Sequence, residues 1–437
     1  MSTECFQTEL EFQGLPGRRV VADFDGGVVT SDAGGLLLRE ADLAQGLCER
    51  FAACFSDGRD QARVQHSVPA MVRQRVYGLA LGYEDVNDHD HLRHDPLFHV
   101  FAGTQELDAP LAGKSTLNRV EASACAARRD ERYHRVRFHA DRFQRLLVDL
   151  FMDSVEGSPR ELVIDLDATD LPLHGAQEGR HFHGYYGNYC YLPLYITCGE
   201  HVLHARLRPS SAGAAEGAVE ALEPIVLALR ARLPHCRLIV RGDSAFSTEE
   251  IMSWCEERGV RYTLGLARNA RLQAICARRL EQARRRHLRT GKAARLYKSF
   301  PCRTRRSWSR KRRVVAKCEH IAGKSNPRFV VTNLLCEEMA SADLYERGYC
   351  PRGDMENRIK EQLDLFAGRV SCEAFAANQL RLAFSTMAHA LMAALRRALA
   401  GTELARAQAS QLRVKVLKVG ALVKRTKRRI LVRIAEG

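Results

Sequence analysis

The chain has 437 residues, enough for roughly two to four structural units, and 46% of them are hydrophobic, enough for a sizeable core. Its net charge of +15 favours an anionic partner, with nucleic acid foremost. No apolar run reaches the ~18 residues of a membrane span, and none of the 14 cysteines forms the C-x-x-C pair of a zinc ribbon. The start, MSTECFQTELEFQG, lacks the apolar stretch of a signal peptide. The cysteines therefore read as reduced thiols of a cytoplasmic protein. The charge is local. From Arg268 to Lys317 there are 19 Lys or Arg against one acid, Glu281, so this segment carries +18 and the remainder −3.

In chain order, RRVVADF and GGVVT are predicted strands among Gly-Gly turns. Ser31 and Asp32 offer N-caps for a helix over GLLLREADLAQGL. Residues 68–83 and 115–150 are predicted helices, and GYEDVNDHDHLRHDPLF between them a polar loop or helix end. Residues 1–155 thus read as a mainly helical region.

From residue 160 the pattern changes. ELVIDLDATDL, YLPLYITCG and HVLHARLRP are predicted strands, the last two joined by a turn at Gly199 and Glu200. An amphipathic helix over AVEALEPIVLALRARL leads to the buried-type strand CRLIVRGD. The helix STEEIMSWCEERG follows, capped by Ser247 or Thr248 and ended by Gly259, then the strand VRYTLGL. This order predicts a mixed α/β sheet. An Arg-rich helix-like part (268–289) precedes the strand-like RLYKSF, RTRRSW and RRVVAKCEHI. PRFVVTNL reads as one more core strand, 349–398 as helical, and LRVKVLKVGALVKRTKRRILVRI as a basic β-hairpin.

Alternation along ELVIDLDATD puts Asp165, Asp167 and Thr169 on one face and Leu162, Ile164 and Leu166 on the other. Asp243 ends the apolar strand CRLIVRGD, and ligands collect outside the carboxyl ends of strands in such sheets. In YCPRGDMENRIKEQLDLF, helical spacing puts Arg352, Glu356 and Lys360 within about 80° of one face. Taken singly, a strand-end Asp is more often a turn residue, and an Arg-Glu-Lys ladder a solvated salt-bridge row. Together, carboxylates from two strands and a helix suit hard divalent cations at a reacting phosphate.

In its D-x-T strand, its G-D-S strand end and its late Y-x-x-R-x-x-x-E helix, the chain resembles the DDE transposases of bacterial insertion sequences. The likeness is to the branch with the Y-R-E-K signature, distantly related to the piggyBac type. The resemblance spans at least residues 160–400, and GYEDVNDHDHLRHDP and the final hairpin share it. It implies an N-terminal region (1–155) for DNA binding and dimerisation, a ribonuclease H-like α/β core (156–266 and 327–400), a basic β-rich insertion (267–326) and a C-terminal basic β-hairpin (401–437). It makes Asp167, Asp243 and Glu356 the catalytic, metal-binding triad, with Asp165 as the alternative first Asp. Tyr349 and Arg352 match the signature's Y and R. The family's K often lies seven residues after the Glu, where this chain has Leu363, and Lys360 is the substitute. Two Mg²⁺ ions are implied, with Mn²⁺ able to replace them. The partners implied are terminal inverted repeats and target DNA, held by a homodimer near the bacterial nucleoid. Both end cleavage and joining of the 3′-hydroxyl would use the one site. The alternatives are a ribonuclease H-like nuclease without strand transfer, and a decayed DNA-binding relative.

Three further features bear on function. Arg310, Lys311, Arg312 and Arg313 are expected phosphate contacts. Trp308, among these cations, is either a base-stacking platform or a strand anchor. LAGKSTL is no phosphate-binding loop, because Asp108 stands where the first glycine belongs. His89, His91, His94 and His99 fit a packing loop better than a metal site, whereas His181 and His183 fall in the loop after the first strand.

Overall fold

The structure is a computed structural model that describes residues 9–104, 108–125, 135–321 and 324–434. At its centre is a nine-stranded mixed sheet. The strands and helices that position the site are β1 (Glu161–Ala168), β2 (Leu194–Cys198), β3 (His201–Arg206), α1 (Ala218–Arg232) and β4 (Arg237–Gly242). They continue with α2 (Glu249–Glu257), β5 (Arg261–Leu266), α3 (Ala270–Thr290), β6 (Ala294–Cys302), β7 (Arg312–Ile321), β8 (Arg328–Thr332), α4 (Gly353–Asp364) and α5 (Phe375–Ala398). The spatial order is β3-β2-β1-β4-β5-β8-β7-β6, with the two-residue strand Lys324–Ser325 on β7. β2 runs antiparallel to both of its neighbours, β3 and β1, whereas β1, β4 and β5 are parallel.

The alternation read from the sequence sets the two faces of this sheet. Ile164, Leu166 and Val240 point into a core with α1, α2 and α3. The opposite face is covered at one edge by α5, through Tyr195, Val202 and Ala205, and at the other by Leu344 and Tyr345 against Val315 and Val330. Asp165 and Asp167 face the gap between these covers. Thr248 caps α2 by accepting from the Ile251 amide, as one of the two predicted caps.

The N-terminal region is mainly helical, and its core is continuous with α5, through Phe51, Phe143 and Phe384. Several local expectations are corrected. The first helix starts at Gly35 as expected, but its N-cap is Gly34, with no side-chain cap, rather than Ser31 or Asp32. Asp32 is buried and instead accepts from the Tyr83 hydroxyl at 2.7 Å and pairs with Lys418 at 2.7 Å. The single helix expected over 115–150 is broken into Lys114–Glu121 and Ala140–Ser154, with the strand Val136–Phe138 before the second and residues 126–134 outside the described set. RTRRSW is a loop. At the C-terminus, Arg413–Leu417 is a π-helical turn rather than a strand, and only Ala421–Arg425 and Ile430–Ile434 form the hairpin. In the basic segment the Arg-rich helix lies where it was expected, α3 spanning 21 residues, and β6 and β7 after it extend the central sheet. Among the described residues, no helix is long and apolar enough to cross a membrane.

Candidate active site

The parallel register of β1 and β4 pairs Arg241 with Asp165 and Gly242 with Leu166. The next residue on each strand is Asp167 and Asp243, so the two carboxylates leave the sheet side by side. Asp243 is held by a short turn in which its carboxylate accepts from the Ala245 amide at 2.8 Å. Gly242 leaves room for Phe246, which a Cβ would meet at 3.1 Å.

Glu356 arrives from α4, preceded by a π-helical turn over Leu344–Tyr349 and a tight turn over Cys350–Arg352. Such turns insert a residue into helical periodicity and re-aim the side chains that follow. Arg352 lies between the carboxylates, 3.4 Å from Asp167 and 2.8 Å from Glu356. Burial raises the Tyr349 hydroxyl, and the neighbouring Arg352 cation draws it back. That hydroxyl lies so close to β5 that a Cβ on Gly265 would meet it at 2.6 Å. Lys360 is exposed one turn beyond Glu356.

Like charges and partial burial make this cluster electrostatically strained. The Asp167 side chain is 13% exposed and that of Glu356 51%. Burial pushes the Asp167 carboxyl up. Arg352 draws it back, and Asp243 and Glu356 push it up further, to about 6. Burial disfavours the Arg352 cation, but Asp167, Tyr349, Glu356 and Asp243 outweigh that and hold its guanidinium above the usual range. One cation thus answers three carboxylates. Among the described residues, no three acidic, His or Cys side chains converge closely enough to hold a metal ion as they stand.

Asp165, the alternative first Asp, is bound otherwise. Arg241 donates to both of its oxygens, at 2.5 and 2.7 Å, and its third contact is the Gly348 carbonyl at 3.0 Å. This buried pair ties the two acidic strands to the turn that carries Tyr349 and Arg352. Sequence reasoning missed Arg241, whose only signal is a charge inside an otherwise apolar strand. It also missed Glu361, one turn after Glu356, which bonds His389 and Arg396 and pins α4 to α5.

The expected DNA contacts divide. Trp308 is 4% exposed, packed with Leu272 and Val314 under α3, and Arg312 stacks on its ring. No ring face is left for a base, which corrects the stacking assignment in favour of the strand anchor. Arg312 is also buried and pairs with Glu249 and Glu256 at 2.5 and 2.7 Å. Arg313 donates to the carbonyls of Leu334, Leu335 and Met339. Neither guanidinium is free for phosphate. Arg310 and Lys311 remain exposed. His89 is buried against Gln74 at 3.2 Å, as a packing residue.

The family model described as transposase DDE domain group 1 matches residues 12–437. No curated protein matches the chain.

Proposed function

Because the chain belongs to the transposase DDE domain group 1 family, we propose that it cuts transposon ends and joins their 3′-hydroxyls to target DNA at Asp167, Asp243 and Glu356. The observation that carries this reading is one arginine answering carboxylates from two adjacent parallel strand ends and a third from a helix. The strand order β3-β2-β1-β4-β5, with antiparallel neighbours among the first three and β4 and β5 parallel to β1, supports a ribonuclease H-like core. Residues 156–266 and 327–400 form that core in this reading, with 267–326 inserted. The motif resemblance supports an insertion-sequence origin and a distant piggyBac relation, and the family supports a dimer on two inverted repeats.

The donor set is all carboxylate, which fits Mg²⁺ or Mn²⁺. Asp167, Asp243 and Glu356 would hold the ions, which when bound supply the charge that activates the attacking oxygen and stabilises the leaving one. The chain's own groups do the rest. Arg352 swings from the carboxylates to the phosphate, its planar fork matching two phosphate oxygens. Tyr349, seated on Gly265, fixes the arginine's new direction. Arg241 and Asp165 hold the turn beneath both.

The test uses DNA carrying the element's ends, including pre-cut ends with a free 3′-hydroxyl, in Mg²⁺. Cleavage and joined products are expected, and both vanish in EDTA. Cutting without joining leaves a nuclease, and full activity in EDTA overturns the site.

A further inference from the structure

Between β1 and β2 the chain makes an aromatic hairpin. Its strands are His181–His183 and Asn188–Tyr191, and the second pairs with Leu171–Pro172, just beyond Asp167. The base of the hairpin is anchored. Cys190 and Tyr191 are buried, the Ser210 hydroxyl donates to the His181 carbonyl at 2.7 Å, and Asn188 donates to Asp170 at 3.2 Å. The tip is a tight turn closed by the Gly187 amide on the His183 carbonyl, with Gly187 at φ 70°.

On this rigid stem the rings face water. Tyr185 is 86% exposed and Phe182 59%. Phe182 and Tyr189 pair edge to face at 5.6 Å, and Tyr185 and Tyr186 at 5.0 Å. Arg180 sits over the Tyr189 ring at 5.0 Å. The hairpin adjoins the candidate site, since the charges of Asp170, Asp167 and Asp243 all reach the Tyr186 hydroxyl, which burial first pushes up. Exposed rings on an anchored stem cost apolar hydration that the fold does not recover internally. A scissile phosphate at the carboxylates would bring its neighbouring nucleotides over them.

We propose that this hairpin is a stacking platform for unpaired bases of the DNA strand next to the scissile phosphate, with Tyr185 and Phe182 as the principal rings. The proposal rests on the transposase reading for its placement. Base–aromatic stacking is strong enough that each ring lost lowers affinity by roughly 5- to 100-fold. The occupant is DNA because the rings border the site of phosphate chemistry and one of them, Tyr189, carries a cation, Arg180, over its face.

The probes are a mixed-sequence single-stranded oligonucleotide and an abasic one of equal length, which keeps the phosphates without the bases. Wild-type protein should prefer the first. Tyr185→Ala and Phe182→Ala should each weaken it about tenfold while leaving the abasic affinity, the salt slope and the melting temperature unchanged. Tyr185→Trp should restore binding. Equal losses on both oligonucleotides, unchanged affinity for both, or loss of a dimer with DNA affinity intact would each overturn the platform. If the transposase reading itself fails, wild-type protein cuts no DNA in Mg²⁺ whatever these affinities are.

Discussion

The Asp167 carboxyl is the most informative single group. With its pKa raised to about 6, the fold favours its protonated form. Its contribution to stability is therefore complete below the unfolded value near 4 and is lost as pH rises through about 6. Asp167→Asn, neutral throughout, should then be more stable than wild type in EDTA at pH 8, by on the order of 2 kcal/mol. The gain should fade towards pH 4. Melting temperatures across that range check this, and a destabilised variant at pH 8 would mean that the Arg352 contact outweighs burial. The apparent Mg²⁺ affinity should likewise drop below about pH 6, as protons compete for the same oxygens. Asp165 makes a contrast two residues away. Its role was not legible in sequence, because alternation places it on the same face as Asp167. Only the register with Arg241, 76 positions later, consumes its oxygens. Asp165→Asn leaves a buried cation unpaired and should cost about 3–5 kcal/mol, read by thermal melting.

At the scale of elements, strands were readable wherever an apolar run met a turn signal, as in β1, β2, β4, β5 and β8. The basic segment was less readable, because the partners of its arginines lie far along the chain. Arg312 meets Glu249 and Glu256 only once β7 packs beside α2. Trp308→Ala should therefore cost about 3–5 kcal/mol of stability, without a specific change in DNA affinity beyond that loss. Beside the exposed Arg310 and Lys311, further available cations lie on α3, where Arg278, Arg286 and Arg289 are exposed and have no ion-pair partner among the described residues. Replacing these three with Ala should flatten the slope of log K against log salt by about 2–3 units if each touches phosphate. An unchanged slope would remove α3 from the DNA interface.

At the scale of the whole molecule, the N-terminal region and the C-terminal hairpin close on each other. Val29–Thr30 pairs with Ala421–Arg425, and the Ala33 amide donates to the Val419 carbonyl at 3.0 Å. Gly34 lies against this returning segment so tightly that a Cβ would stand 1.9 Å from the Val416 carbonyl oxygen. Gly34→Ala should therefore cost on the order of 3 kcal/mol and speed hydrogen exchange at Thr30 and Ala33. The basic hairpin was legible from its alternation. Its docking on the N-terminal region was not, since nothing local pairs residues some 390 positions apart. The helix α5 joins the N-terminal core to the sheet edge, so the site hangs between two packed bodies, braced by Glu361 on one side and Arg241 on the other.

The central claim is that Asp167, Asp243 and Glu356 act together on DNA. Its most direct test is Mg²⁺-dependent cleavage of transposon-end DNA by Asp167→Asn, Asp243→Asn, Glu356→Gln and Asp165→Asn, assayed at a temperature where all four remain folded. The first three should bind ends but not cut them, and Asp165→Asn should still cut. Cleavage by Asp167→Asn, or its loss in Asp165→Asn alone, would contradict the account.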